Sequence, residues 1–76
     1  KGVVRDPAVH LEVVERFYSQ AEQFDFSVQG MTFSPIRGPE GNIEYLGWLS
    51  VGAGHSVSID FQALVAQSHE TLEAKQ

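Results

Sequence analysis

With 76 residues the chain forms one domain at most, and a chain of that size buries only about 60% of its unfolded surface. Ten acidic residues against five basic ones give a net charge of -5, which excludes a module that neutralises nucleic-acid phosphates by itself. Without cysteine there is no disulfide framework and no CxxC-type zinc site, and no apolar run approaches the roughly 20 residues of a membrane span.

A first helix is predicted to begin near Pro7. Asp6 can accept hydrogen bonds from the free amides of the first turn, and proline at the first helical position loses no hydrogen bond. Apolar residues then recur at three-and-four spacing, which predicts a single packed stripe: Val9, Val13, Val14, Phe17, Ala21 and Phe24.

Residues 26–33 change to a period of two, which predicts a strand. Aromatic and branched side chains favour this assignment, with Phe26 and Val28 on one side and Met31 and Phe33 on the other. Gly30 lies between the two pairs, and it indicates a β-bulge or a close approach of the backbone.

A long turn, residues 34–42, leads to a second predicted strand, residues 43–51. This strand is apolar on both faces, which is typical of an interior strand covered on each side. One carboxylate, Glu44, stands at its entrance, and an unpaired carboxylate removed from water costs several kcal/mol. Glu44 therefore needs either a basic partner or solvent, and the second reading is a plain solvated strand-end carboxylate.

After the glycine-rich break at residues 52–54, a second helix is predicted to start at residues 58–60. Several side chains there could cap it. Its stripe is Phe61, Leu64, Val65, Ser68 and Leu72. The predicted fold is therefore α/β, in the order helix, strand, strand, helix.

Other residues give only weak functional signals. His10, His55 and His69 follow no metal-ligand spacing, so surface or capping roles are predicted for them and no metal site. The turn lacks the GKS or GKT of a phosphate cradle. Trp48 could stack on bases, although the alternation favours core packing.

The segments KGVVRDPAVH and SPIRGPEGNIEYL, with the helix between them, resemble the C-terminal end of the TlyA-type proteins. That family is named both for hemolysins and for ribosomal RNA methyltransferases, within the FtsJ-like group of S-adenosylmethionine-dependent ribose methyltransferases. The similarity covers about residues 1–51, and GPEGNIEYL at this distance after VRDP is its most specific part.

The resemblance implies an incomplete enzyme. Residues 1–76 would be the C-terminal part of a Rossmann-like methyltransferase domain, with residues 26–33 and 43–51 as the antiparallel hairpin at one edge of its sheet. The family's Lys-Asp-Lys-Glu tetrad activates a ribose 2'-hydroxyl, and by motif Glu44 is the tetrad glutamate. The other tetrad members, the S-adenosylmethionine site and the RNA-binding domain would precede Lys1. Ser34 matches a serine that opens the loop, without a chemical step.

Three hypotheses follow. The first is a C-terminal fragment of a cytoplasmic ribosomal RNA 2'-O-ribose methyltransferase, inactive alone, with Glu44 its one catalytic residue. The second is a small non-enzymatic α/β module for binding or self-association. The third, suggested only by the hemolysin name, is a membrane-damaging protein, although neither helix has the basic amphipathic face of a membrane-active segment. Because one edge of the second strand would be open in the fragment, we also predict a homodimer.

Overall fold

The order of elements agrees with the prediction. The computed structural model describes residues 5–38 and 41–74, with side chains described as far as residue 72. It contains α1 (Pro7–Gln23), β1 (Phe26–Phe33), β2 (Tyr45–Val51) and α2 (Phe61–Ala74). The α/β class and the helix-strand-strand-helix order are confirmed, and β2 begins two residues later than expected.

Both helices begin at an aspartate that caps them. Asp6 lies in extended backbone before Pro7, and its Oδ1 accepts from the amide of Ala8 at 2.9 Å. Asp60 does the same for α2, since its Oδ1 accepts from the amide of Ala63 at 3.0 Å. Each aspartate satisfies an amide that has no partner within its helix, which fixes where the helix starts.

The two strands form an antiparallel sheet with one irregularity. The register shifts between Val28 and Gly30, so Gln29 is the extra residue of a β-bulge, as Gly30 indicated. The cross-strand pairs on one face are Phe26 with Val51, Val28 with Leu49, Met31 with Gly47 and Phe33 with Tyr45. The prediction that Phe26 and Val28 face away from Met31 and Phe33 was therefore wrong, because the bulge restores all four to one face.

Both helices pack on that face. Gly47 of β2 lies against the ring of Phe17 in α1, and Tyr45 contacts His10 of α1 and Ser68 of α2. The buried apolar core between the two layers comprises Val14, Ala21, Val28, Val65 and Leu72. The result is a two-layer α/β unit with its helices on one side of the sheet.

The other face of the sheet is covered by the described residues only at the start of β1, where Ser27 is fully buried and hydrogen-bonds Gly52 and His55 of the segment that follows β2. Trp48 is 56% exposed, with its ring against Gly30, and the neighbouring Leu46 is also exposed. The expectation that β2 is covered on both faces, with Trp48 in the core, is therefore not met in this chain. Both helices lie on one side of the sheet, and the segment of residues 52–57 reaches only the start of β1 on the other side.

The two edges of the sheet differ. Along β1 the backbone of Val28 bonds the connecting segment, through Val57 N–H to Val28 O (2.9 Å) and Val28 N–H to Ser56 Oγ (2.8 Å). Among the described residues β2 pairs only with β1, so its outer edge is open. Val51, at the end of that edge, is 88% exposed.

The apolar stripe predicted on α1 is only partly buried. Val14 and Ala21 are in the core, whereas Val13 is 53% exposed and Phe24 is 72% exposed. The buried side of the helix is completed by His10 instead. The stripe is wider than the narrow two-stranded sheet beneath it, so its outer part has no layer to pack on.

Candidate functional site

Glu44 is the last residue before β2, at the point where the long loop rejoins the sheet. Its carbonyl accepts from the amide of Ser34 at 2.8 Å, next to the pair formed by Phe33 and Tyr45. This bond joins the two ends of the loop of residues 34–44, and it fixes the backbone from which the Glu44 side chain projects. The side chain itself is exposed.

The loop is held by its own hydrogen bonds. Gly38 N–H donates to Asn42 O at 2.7 Å, and Gly41 N–H donates to Gly38 O at 3.1 Å. Arg37 Nη1 donates to Gly41 O at 2.9 Å. Gly41 has a φ of 85°, in the left-handed region that favours glycine. The described part of the loop is therefore a turn held together by its own hydrogen bonds.

Ser34 contributes to the loop in the way its position implied. Its Oγ accepts from the amide of Ile36 at 3.4 Å, a local turn typical of serine. This contact orders the first residues of the loop, and it gives Ser34 no part in a chemical step.

Gly38 lies directly against the side chain of Glu44. A Cβ atom built on Gly38 would be 2.7 Å from the carboxyl carbon of Glu44 and 2.9 Å from its Cγ. Both distances are shorter than van der Waals contact, so the glutamate side chain occupies the space that any other residue at position 38 would need. Although exposed, the carboxylate is backed by main chain.

No cation of the described residues forms an ion pair with Glu44. Arg37 is the nearest in sequence, and its guanidinium instead bonds the carbonyl of Gly41. Within residues 5–38 and 41–72, the ion pair that the structure contains joins Glu12 and Arg16 at 3.6 Å, on the exposed side of α1. A basic partner for Glu44 would thus come from outside these residues.

Immediately after Glu44, Tyr45 anchors the strand to both helices. Its hydroxyl and Ser68 Oγ are 2.6 Å apart, and its ring meets that of His10 edge-on with centroids 5.7 Å apart. Burial raises the pKa of Tyr45 above its usual value, and the hydrogen bond with Ser68 opposes that rise. The residue next to the candidate site is thereby fixed by packing and by a hydrogen bond.

The histidine prediction needs correction. His10 and His69 are both buried, and His10 Nδ1 lies 2.8 Å from His69 Nε2, so the two rings form a hydrogen bond between α1 and α2. One ring nitrogen donates and the other accepts, which couples the two tautomers. His55 is exposed, as predicted. Burial was not foreseen because it depends on how two distant helices meet.

The described residues contain no metal cluster. No group of three or more histidine or acidic side chains comes together in this part of the chain. One groove, between α1 and the start of β2, is lined by apolar side chains that include Val13, Phe17, Met31 and Leu46. The described helices include none that is long and apolar enough to cross a bilayer.

The catalytic assignment of Glu44 stays a prediction, and sequence reasoning missed the residue that its side chain contacts across the loop, Gly38. Gly38 belongs to a stretch rich in glycine and proline, which signals a turn without revealing which side chain the glycine will face. The Tyr45–Ser68 contact had a partial signal, because Ser68 is a polar residue on the predicted buried stripe of α2.

Comparison with known proteins gives related sequences of much greater length. No protein-family model matches the chain. It is 38% identical over 80 residues to "Putative rRNA methyltransferase YqxC" of Bacillus subtilis, covering 99% of this chain and 28% of that protein. It is 33% identical over 57 residues to "16S/23S rRNA (cytidine-2'-O)-methyltransferase TlyA" of Mycobacterium tuberculosis, covering 75% of this chain and 21% of that protein.

Two solved structures share the fold. "Putative hemolysin from Streptococcus thermophilus" superposes with a TM-score of 0.81 at 35% identity, over 96% of this chain and 27% of that one. The structure of "a putative hemolysin from Lactococcus lactis" gives 0.70 at 35% identity, over 86% of this chain and 32% of that one. The chain thus spans about a quarter of the length of the curated relatives that it matches.

Proposed function

This chain is a TlyA-type segment, and we propose that the whole protein to which it belongs is an S-adenosylmethionine-dependent methyltransferase acting on a ribose 2'-hydroxyl of ribosomal RNA. The names of its sequence relatives support methyl transfer to ribosomal RNA. Residues 1–76 would form the C-terminal part of an FtsJ-like, Rossmann-like methyltransferase domain. A ribosomal RNA substrate would place the protein in the cytoplasm.

Glu44 is the proposed catalytic residue of this chain. The observation that carries the assignment is its position, on a backbone bonded to Ser34 at the entrance of β2 and with its side chain exposed towards solvent. A carboxylate held there can accept hydrogen bonds from a lysine ammonium supplied by the rest of the protein, or from the ribose. Orienting such groups to within about 1 Å can matter by about 10²-fold in rate.

The described residues do not fit an S-adenosylmethionine site. The grooves between the helices and the sheet are lined almost entirely by apolar side chains, with no carboxylate to receive ribose hydroxyls. The glycine-rich break at residues 52–54 is separated from α2 by residues 55–60, so it does not lead directly into a helix as a dinucleotide-binding turn does. The cofactor would be bound by the rest of the protein, and the isolated chain would be inactive.

The test is a pair of carboxylate variants in the full-length protein. Glu44→Gln should lower methyl transfer to ribosomal RNA by about 10²-fold or more, while S-adenosylmethionine binding and thermal stability stay at the wild-type level. Glu22→Gln, an exposed carboxylate on α1, is the matched control and should keep full activity. Full activity of Glu44→Gln would remove the catalytic assignment.

A second candidate is a self-association module, favoured by the open edge of β2 and the exposed Trp48 and Val51 beside it. We propose that in the whole protein further strands cover this edge, and that the isolated chain forms a dimer through it. Failure of the full-length protein to bind S-adenosylmethionine would favour a non-enzymatic module over the enzyme.

The hemolysin name of the two structural relatives has a separate test. Neither α1 nor α2 carries a basic residue in its last turn, and neither has the long apolar stretch that insertion would need. We expect this chain to release no dye from liposomes of anionic and zwitterionic lipids. A pore-forming peptide is the positive control.

A further inference from the structure

The contact between Gly38 and Glu44 has a consequence for the position of the carboxylate. The glutamate side chain rests on the main chain of Gly38, where a Cβ would come within 2.7 Å of its carboxyl carbon. The three Glu44 atoms nearest to this position all lie beyond the Cβ of Glu44 itself. The part of the residue that a substitution would displace is therefore the carboxylate end.

The loop offers Gly38 little freedom to move away. Its amide donates to Asn42 O and its carbonyl accepts from Gly41 N–H, so both sides of the residue are bonded within the turn. Arg37 adds a bond to Gly41 from the preceding position. The other side of the contact is also fixed, because the Glu44 carbonyl is bonded to Ser34 N–H.

We propose that Gly38 is a positioning residue for Glu44. Because glycine has no side chain, it leaves the space in which the carboxylate lies, and the hydrogen-bonded turn keeps that space open. The inference rests on the proposed catalytic role of Glu44. With both backbones held, a side chain at position 38 moves the carboxylate outwards rather than shifting the loop. Gly38 itself touches no substrate.

The test is a double-mutant cycle in the full-length protein, with Gly38→Ala made in the wild-type and in the Glu44→Ala backgrounds. In the wild-type background Gly38→Ala should lower kcat by about 10- to 100-fold, with KM for RNA and for S-adenosylmethionine unchanged. In the Glu44→Ala background it should leave the residual rate unchanged, because the side chain that it displaces is gone.

Gly41→Ala is the control for disturbance of the loop itself. A Cβ on Gly41 meets nothing within 4 Å, but its φ of 85° makes any other residue strained there. Gly41→Ala should therefore change kcat by the same factor in the wild-type and Glu44→Ala backgrounds. It should also shift the thermal midpoint by the same amount in both. Gly38→Ala should leave the thermal midpoint almost unchanged in both backgrounds, because the atoms that it displaces are the exposed end of a flexible side chain.

The outcomes separate the two ideas. If Gly38→Ala lowers kcat equally in both backgrounds, has no effect, or unfolds the protein in both, the positioning role is wrong while the catalytic role of Glu44 stands. If Glu44→Ala keeps full activity, the proposed catalytic role fails first, and the positioning role falls with it.

Discussion

At the scale of single residues, Tyr45 connects the candidate site to the helical layer. It follows Glu44 directly, its hydroxyl bonds Ser68 of α2, and its ring lies against His10 of α1. His10 in turn hydrogen-bonds His69, so two hydrogen bonds and one ring contact together link α1, β2 and α2. Polar groups buried in this way are stabilising when each has a partner, and no buried side-chain polar atom of the described residues lacks one.

The raised pKa of Tyr45 makes stability depend on alkaline pH. Burial disfavours the tyrosinate in the folded state, so the folded pKa lies above the unfolded value of about 10. The stability that this group contributes is present below about pH 10 and is lost as pH rises through the folded pKa. In urea denaturation, the free energy of unfolding should therefore fall less steeply above about pH 10 for Tyr45→Phe than for wild type.

Ser68→Ala should change the alkaline slope of the unfolding free energy in the opposite direction. The hydrogen bond from Ser68 lowers the pKa of Tyr45, so its removal should raise that pKa further and steepen the alkaline loss of stability. Equal slopes for wild type and both variants would show that Tyr45 does not couple to unfolding.

At the scale of elements, the glycine of β2 controls how closely α1 approaches the sheet. A Cβ on Gly47 would lie 2.7 Å from Cε2 and 3.1 Å from Cζ of Phe17. Because Phe17 is 38% exposed and its ring can shift, Gly47→Ala should destabilise the fold by only about 1 kcal/mol, the low end for overpacking, measured by urea denaturation at one protein concentration. In the Phe17→Ala background the same change should have almost no effect, because the ring that it meets is absent.

The matched control is Gly30→Ala on the other face of the sheet. Its Cβ would be 3.2 Å from an edge atom of the Trp48 ring, which is half exposed and can shift towards solvent. The loss of stability should be smaller than for Gly47→Ala. A larger loss at Gly30, or an undiminished loss for Gly47→Ala without Phe17, would contradict the close packing of α1 on β2.

Elements with local signals were predictable from the sequence, and those that depend on tertiary packing were not. The helix starts are set by local chemistry, through the capping carboxylates of Asp6 and Asp60 and through Pro7. The bounds of β1 follow its period of two. The common face of Phe26 and Phe33 was missed because one bulged residue inverts the alternation. The motif predicts Glu44 as a site residue, which stays a prediction, whereas its contact with Gly38 was not predicted, since a turn glycine carries no sign of the side chain it will face.

At the scale of the whole molecule, the chain has more apolar surface than it can cover. The radius of gyration is 13.0 Å, compared with about 11 Å for a compact domain of this length. Val13 of α1 and Phe24 just after it, with Trp48 and Val51 of β2, remain largely exposed. An open strand edge beside exposed apolar side chains is a template for pairing with another strand.

This surface leads to the last prediction, which concerns oligomeric state. Light scattering of the isolated chain at high concentration should give the mass of a dimer, with slow hydrogen exchange along β2, because two open edges can pair across a two-fold axis. Leu46→Lys with Val51→Lys should give a monomer, since charge on an edge strand opposes pairing. Val57→Lys, at an exposed position outside the strands, should leave the dimer intact. A wild-type monomer with protected β2 amides would mean that a two-layer unit of this size is stable with its edge open.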